Sequence, residues 1–232
     1  MRNSPTEAAQ AFVAQQYPDC MLAVLGGSAS LNQHDAASDL DIVVFEKEDP
    51  GYVLKVSSFM DWIIECTVLT PENYREYYDL GVQAANPTLL RLVAGGVVLA
   101  SRQSGLKFIE EARNDLQYGP MPWSQAELDF ARYAISDKIT DLHGQIPRCE
   151  QWFVAGKLLI LVSEFILRAN DQWLGEGKHL YRFLQNYAPE TAAELEKGLE
   201  TLFLRDDPGE LVRACSRALE PYGGILLDGY EE

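Results

Sequence analysis

Cysteine and histidine are scarce in this chain, at 4 and 3 of 232 residues. Cys20, Cys66, Cys149 and Cys215 are dispersed, with no paired spacing. That excludes a disulfide framework and leaves a Cys/His metal site without support. Three of the four sit in apolar or helical stretches, so buried free thiols are expected. With no signal peptide read at the N-terminus, they point to a reducing cytoplasm. Basic charge is also short. Lys and Arg total 19 against 35 Asp and Glu, a net charge of −16 and a pI near 4.5. Nucleic-acid binding rests on cations neutralising phosphates, so no nucleic-acid partner is expected. A membrane partner is not expected either. The apolar stretch from Trp152 to Leu167 is broken by Lys157 and Glu164 and falls short of the ~20 residues a bilayer requires. It reads as a buried core helix. Repeats and low-complexity runs are absent.

An apolar share of 47% is ample for packed cores. Ser4-Pro5-Thr6-Glu7 is a capping box with proline at the first helical position, predicting a helix to about residue 16. Strands are predicted over 21–25, 40–46, 52–57 and 62–69, with Asp49-Pro50-Gly51 as a hairpin turn. Helical periodicity follows Pro71 and Pro87, then a strand over 97–100 and a helix over 106–116. Tyr118-Gly119-Pro120-Met121-Pro122 is the best linker. After it a second capping box, Ser124 to Glu127, opens an all-helical half, roughly 124–142, 148–169, 178–187, 189–203 and 208–219. The pattern predicts an α+β chain: a mixed-sheet domain over 1–118, then a helical bundle over 119–232.

Three carboxylates stand out within the first half. Gly26-Gly27-Ser28 is followed, after ten residues, by Asp39-Leu40-Asp41 opening an apolar run. Glu65 then lies in Trp62-Ile63-Ile64-Glu65-Cys66-Thr67-Val68. Residues two apart on a strand share a face, so Asp39 and Asp41 project together, and Glu65 shares a face with Thr67. If the two strands are neighbours, three carboxylates converge beside a glycine turn whose amides suit phosphate. Two Mg²⁺ ions held by such carboxylates stabilise both the attacking and the leaving oxygen of a phosphoryl transfer. The third carboxylate can also accept the proton of an attacking hydroxyl. Asp61 has the parity of Glu65 and is the alternative third carboxylate. His34, in the spacer, is a weaker candidate for a phosphate contact.

These residues resemble the nucleotidyltransferases related to DNA polymerase β. Their signature is Gly-Ser, a spacer, Asp-x-Asp and an acidic residue on a later strand. Gly27-Ser28 and Asp39-Leu40-Asp41 match the first elements. Glu65-Cys66-Thr67-Val68 is similar to the third strand of antibiotic-modifying adenylyltransferases. The resemblance implies metal-ligand roles for Asp39 and Asp41, and a base or ligand role for Glu65. The helical half resembles, more loosely, the bundle of kanamycin-type enzymes through Gly156-Lys157, Glu164 and the run from Gly177 to Leu184. Lys157, a charge in an apolar helix, either reaches phosphate or pairs with Glu164 or Glu150. Lys178 and Arg182 form a one-turn cationic pair, and Lys157 and Lys178 are the candidate nucleotide contacts of this half.

The implied reaction is Mg²⁺-dependent transfer of a nucleoside monophosphate, AMP from ATP or its equivalent from another NTP, onto a small-molecule hydroxyl. An aminoglycoside-like acceptor suits the acidic chain. The alternatives are a protein adenylyltransferase of the toxin–antitoxin type and a non-catalytic nucleotide-binding regulator. Homodimerisation is left open.

Overall fold

A computed structural model describes residues 3–30, 38–48, 50–51, 53–144 and 146–231. The chain divides into two compact units, Met1–Gly119 and Pro120–Glu232. The first is built on a mixed five-stranded sheet and the second on helices, so the architecture is α+β.

In the first unit Ser4 caps α1 (Pro5–Gln16). Its hydroxyl accepts from the Glu7 N–H, and the Glu7 carboxylate accepts from the Ser4 N–H. There follow β1 (Leu22–Leu25), the short α2 (Gly27–Ser30), β2 (Leu40–Phe45), β3 (Leu54–Phe59) and β4 (Trp62–Leu69). Next come α3 (Tyr74–Gln83), α4 (Thr88–Gly95), β5 (Val97–Ser101) and α5 (Leu106–Tyr118). The sheet order is β3-β4-β2-β1-β5. Among the described residues only the β2–β4 pairing is parallel.

Strand parity sorts the side chains onto two cores. Leu40, Ile42 and Val44, with Ile64, Cys66 and Val68, pack against Ala8, Phe12 and Val13 of α1. Val43, Phe45 and Leu69 face Tyr78, Leu90, Val93 and Phe108 of α3, α4 and α5. There Phe45 stacks on Phe108 with ring centroids 4.1 Å apart. Apolar cover on both faces explains why β1 and most of β2 read as unbroken hydrophobic runs.

The predicted hairpin is corrected. Asp49 and Tyr52 lie outside the described residues, but β2 and β3 are not sheet neighbours. β3 instead pairs antiparallel with β4, Phe59 opposite Trp62. The two-residue turn is Met60-Asp61, with φ of 49° and 63°, the left-handed pair that suits tight hairpins. No glycine or asparagine marks it. Burial of Trp62, whose Nε1 donates to the Asn3 carbonyl at 3.1 Å, fixes the strand end instead.

The second unit comprises α6 (Gln125–His143), α7 (Arg148–Arg168), α8 (Lys178–Tyr187), α9 (Pro189–Arg205) and α10 (Gly209–Leu219). Ser124 and Glu127 form the reciprocal cap of α6. Ile135, Leu158, Phe165, Leu195, Leu202 and Leu211 lie in one buried core. Helices α9 and α10 approach closely at Gly198, where an added Cβ would lie 2.6 Å from the Leu211 Cα. Among the described residues no helix is long and apolar enough to cross a membrane. Cys20, Cys66 and Cys215 are buried free thiols, and Cys149 is an exposed one.

Candidate active site

The parallel β2–β4 ladder brings the three carboxylates together. Its register sets Asp41 directly opposite Glu65 and Val43 opposite Thr67. Adjacent strands lie about 4.7–4.9 Å apart, so opposed side chains on one face are neighbours. Asp39 precedes the strand by one residue and shares the parity of Asp41. All three are half-buried, at the end of β2 where the apolar face begins. Burial and then the negative charges of Asp39 and Glu65 push the Asp41 carboxyl up to about 6. Three like charges are thus close enough to resist common ionisation.

The glycine turn closes on the same spot. β1 ends at Leu25, and the Gly26 N–H donates to the Asp41 carbonyl at 2.8 Å. Gly27 has φ +62°, and a Cβ there would run into the Asp41 carboxylate, 2.9 Å from its Cγ. Only a residue without a side chain leaves the Asp41 carboxylate its place in this left-handed turn. The Ser30 hydroxyl donates to the Gly27 carbonyl at 2.8 Å and holds the turn. Gly27, Ser28, Asp39, Asp41 and Glu65 therefore occupy one end of the sheet.

Other candidates fall elsewhere. Asp61 sits in the exposed β3–β4 turn, outside the strand, so parity no longer groups it with Glu65. His34 lies outside the described residues. Lys157 and Lys178 belong to the second unit. Lys157 is exposed on α7 rather than buried, which removes the expected cost of an unpaired buried lysine. Its charge acts on Glu164 without an ion pair between them among the described residues. Lys178 is exposed at the first position of α8.

One feature of the face escaped the sequence reading. Val56 lies opposite Glu65, and Leu54 opposite Thr67, yet Leu54, Val56 and Ile63 are all exposed. An apolar strip thus borders Glu65 on the side away from Asp41. The alternating Leu54 and Val56 are its sequence signal, readable only with β3 paired to β4.

Among the described residues no group of three or more His, Cys, Asp or Glu side chains forms a ready metal cage. Mg²⁺ commonly takes one or two carboxylates and completes its shell with phosphate oxygens and water. The donor set is hard oxygen, and a divalent cation would offset both the burial and the neighbouring charges that raise Asp41. The residues fit such an ion.

No family model and no curated protein matches the chain. Among solved structures, a nucleotidyltransferase-like protein from Exiguobacterium sibiricum 255-15 is similar over 93% of this chain and 73% of that one. The identity is 12% and the TM-score 0.48. The functional reading therefore rests on the chain's own residues.

Proposed function

We propose that the chain is a Mg²⁺-dependent nucleotidyltransferase moving a nucleoside monophosphate, AMP from ATP, onto a hydroxyl of a small molecule. The observation that carries this is the Asp41–Glu65 register beside a left-handed Gly27, with the Asp41 carboxyl pushed up to about 6 by burial and then by its acidic neighbours. Asp39 and Asp41 would hold Mg²⁺, with Glu65 completing the set. Bound there, the ion supplies charge neutralisation at the phosphates. Gly27 and Ser28 present backbone N–H groups and a hydroxyl to the terminal phosphates. Glu65 accepts the acceptor's hydroxyl proton as that oxygen bonds to the α-phosphorus. The bond from the α-phosphorus to the bridging oxygen breaks, and pyrophosphate leaves. The exposed Leu54, Val56 and Ile63 offer the acceptor an apolar rest beside the base. A net charge of −16 favours a cationic, aminoglycoside-like acceptor. Lys157 and Lys178 keep their proposed role as phosphate contacts on the sequence resemblance alone.

The test is pyrophosphate release with Mg²⁺ and each of the four NTPs against aminoglycosides, lincosamides and other hydroxyl-bearing small molecules. Release that requires one acceptor and vanishes in Glu65→Gln is expected. Absence of release across the panel, with Mg·NTP binding intact, would overturn the small-molecule reading and move the search to protein acceptors.

A further inference from the structure

The helical unit contains a cavity that the nucleotidyltransferase reading does not use. It is an open cavity of about 770 Å³ lined by Trp123, Phe130, Leu161, Glu164, Tyr230 and Glu231, among others. That volume lies within the 300–1,000 Å³ usual for small-molecule sites. Its walls are aromatic and its charged groups are all carboxylates. Two of these are already engaged: Glu127 caps α6 through Ser124, and Asp129 pairs with Arg132 at 2.8 Å. Glu164 differs, being half-buried with neither hydrogen bond nor ion pair among the described residues. Lys157 is exposed and only partly offsets the effect of burial on it. Phe130 is 54% exposed, so an apolar ring and an unpartnered carboxylate both face this space.

The wall is already formed. Arg132 donates twice to the Gly224 carbonyl, at 3.2 and 3.1 Å. The Leu226 N–H donates to the Ser136 hydroxyl at 3.0 Å. Tyr230 then stacks on Tyr133, with centroids 4.4 Å apart and planes 9° from parallel. The segment after α10 is thereby strapped along α6, which fixes Tyr230 and Glu231 at the rim.

We propose that this cavity binds a ring-bearing organic cation, its ring against Phe130 and Tyr230 and its ammonium against Glu164. Charge complementarity selects a cation, and the aromatic walls select a ring over an open-chain polyamine. The inference does not depend on nucleotidyl transfer and is tested without nucleotide or metal. Dansylcadaverine, a fluorescent aromatic amine, is titrated into the full chain beside its neutral N-acetyl derivative. Saturable binding of the amine is expected, at least about tenfold tighter than the derivative, as one charge-assisted contact supplies. Glu164→Gln should bring the two probes within about threefold of each other. Phe130→Ala, at an exposed position that leaves the core intact, should weaken both. Equal binding of the two probes to the wild type would overturn the proposal. So would discrimination that survives Glu164→Gln, or binding of both probes unchanged by Phe130→Ala.

Discussion

Replacing Asp41 by Asn removes a charge that the free chain holds at a cost. Its carboxyl stands at about 6 against an ordinary 3.8, because of burial and the charges of Asp39 and Glu65. Each pH unit is worth 1.36 kcal/mol, so the ionised form carries a penalty of at most about 3 kcal/mol. Solvent reaches this half-buried group, which discounts the figure to about 1.5 kcal/mol. For a unit of this size the melting temperature should rise by about 5 °C. The sign follows from the direction. A carboxyl whose folded value lies above its unfolded one binds the proton more tightly when folded. The wild type therefore loses stability as pH rises from about 4 through about 6, and the Asn variant does not share that loss. The variant's advantage should be full near pH 7.5 in EDTA and absent near pH 4. Thermal melts of both proteins at the two pH values make the measurement. Adding Mg²⁺ near pH 7.5 should stabilise the wild type and narrow the gap, since a ligand of the folded state stabilises by mass action. A variant melting at or below the wild type near pH 7.5 in EDTA would refute the reasoning.

The remaining predictions concern neighbouring groups. Glu65→Gln should lower transfer by about 10²–10⁴-fold and also weaken Mg·NTP binding, since it removes a carboxylate of the metal set. Asp61→Asn, in the exposed turn, should leave the rate within about twofold; pyrophosphate release under matched conditions compares the two. Gly27→Ala combines a left-handed φ with a Cβ driven into Asp41, so it should cost about 1–2 kcal/mol in urea unfolding and depress turnover. Gly198→Ala puts a methyl against the Leu211 backbone. It should force α9 and α10 apart at a cost of about 1–3 kcal/mol, read from thermal melts.

Local chemistry made much of this fold legible. The two Ser-x-x-Glu boxes marked the starts of α1 and α6, and both form as reciprocal caps. Strand parity grouped Asp39 with Asp41 and set Glu65 opposite the apolar series of β4. What parity does not carry is pairing. That Asp41 faces Glu65 depends on β4 returning parallel to β2 after a hairpin with β3. The turn of that hairpin, Met60-Asp61, bears no turn signature, so a proline–glycine loop upstream looked the better candidate. Lys157 misled for a related reason. Apolar residues surround it in sequence, yet Phe153 and Ile160 are also exposed. Burial on α7 follows Ala155, Leu158, Val162 and Phe165 along one side, and composition does not say which side packs.

The site also departs from the consistency of the rest of the unit. Around it, the residues of β1, β2 and β4 mostly agree with their faces, and α1 starts on a reciprocal cap. At Asp41 the fold instead drives three carboxylates onto one end of a sheet that is apolar on both sides. It adds a left-handed glycine to make room for one of them. Such local conflict lowers stability and persists where the surrounding structure over-determines it. Here Leu40 and Ile42, packed toward α1, and Val43 and Phe45, packed toward α3–α5, lock β2 from both faces. Asp41 therefore cannot swing away without unpairing a buried strand. Relief must come from outside the chain, as positive charge delivered to the carboxylates. Stability and ligand affinity should then trade against each other at this position: relaxing the repulsion strengthens the free chain and weakens its hold on Mg·NTP. A structural role for the same acids would link the two in the opposite sense, so measuring both on one set of variants separates a poised site from a merely acidic surface.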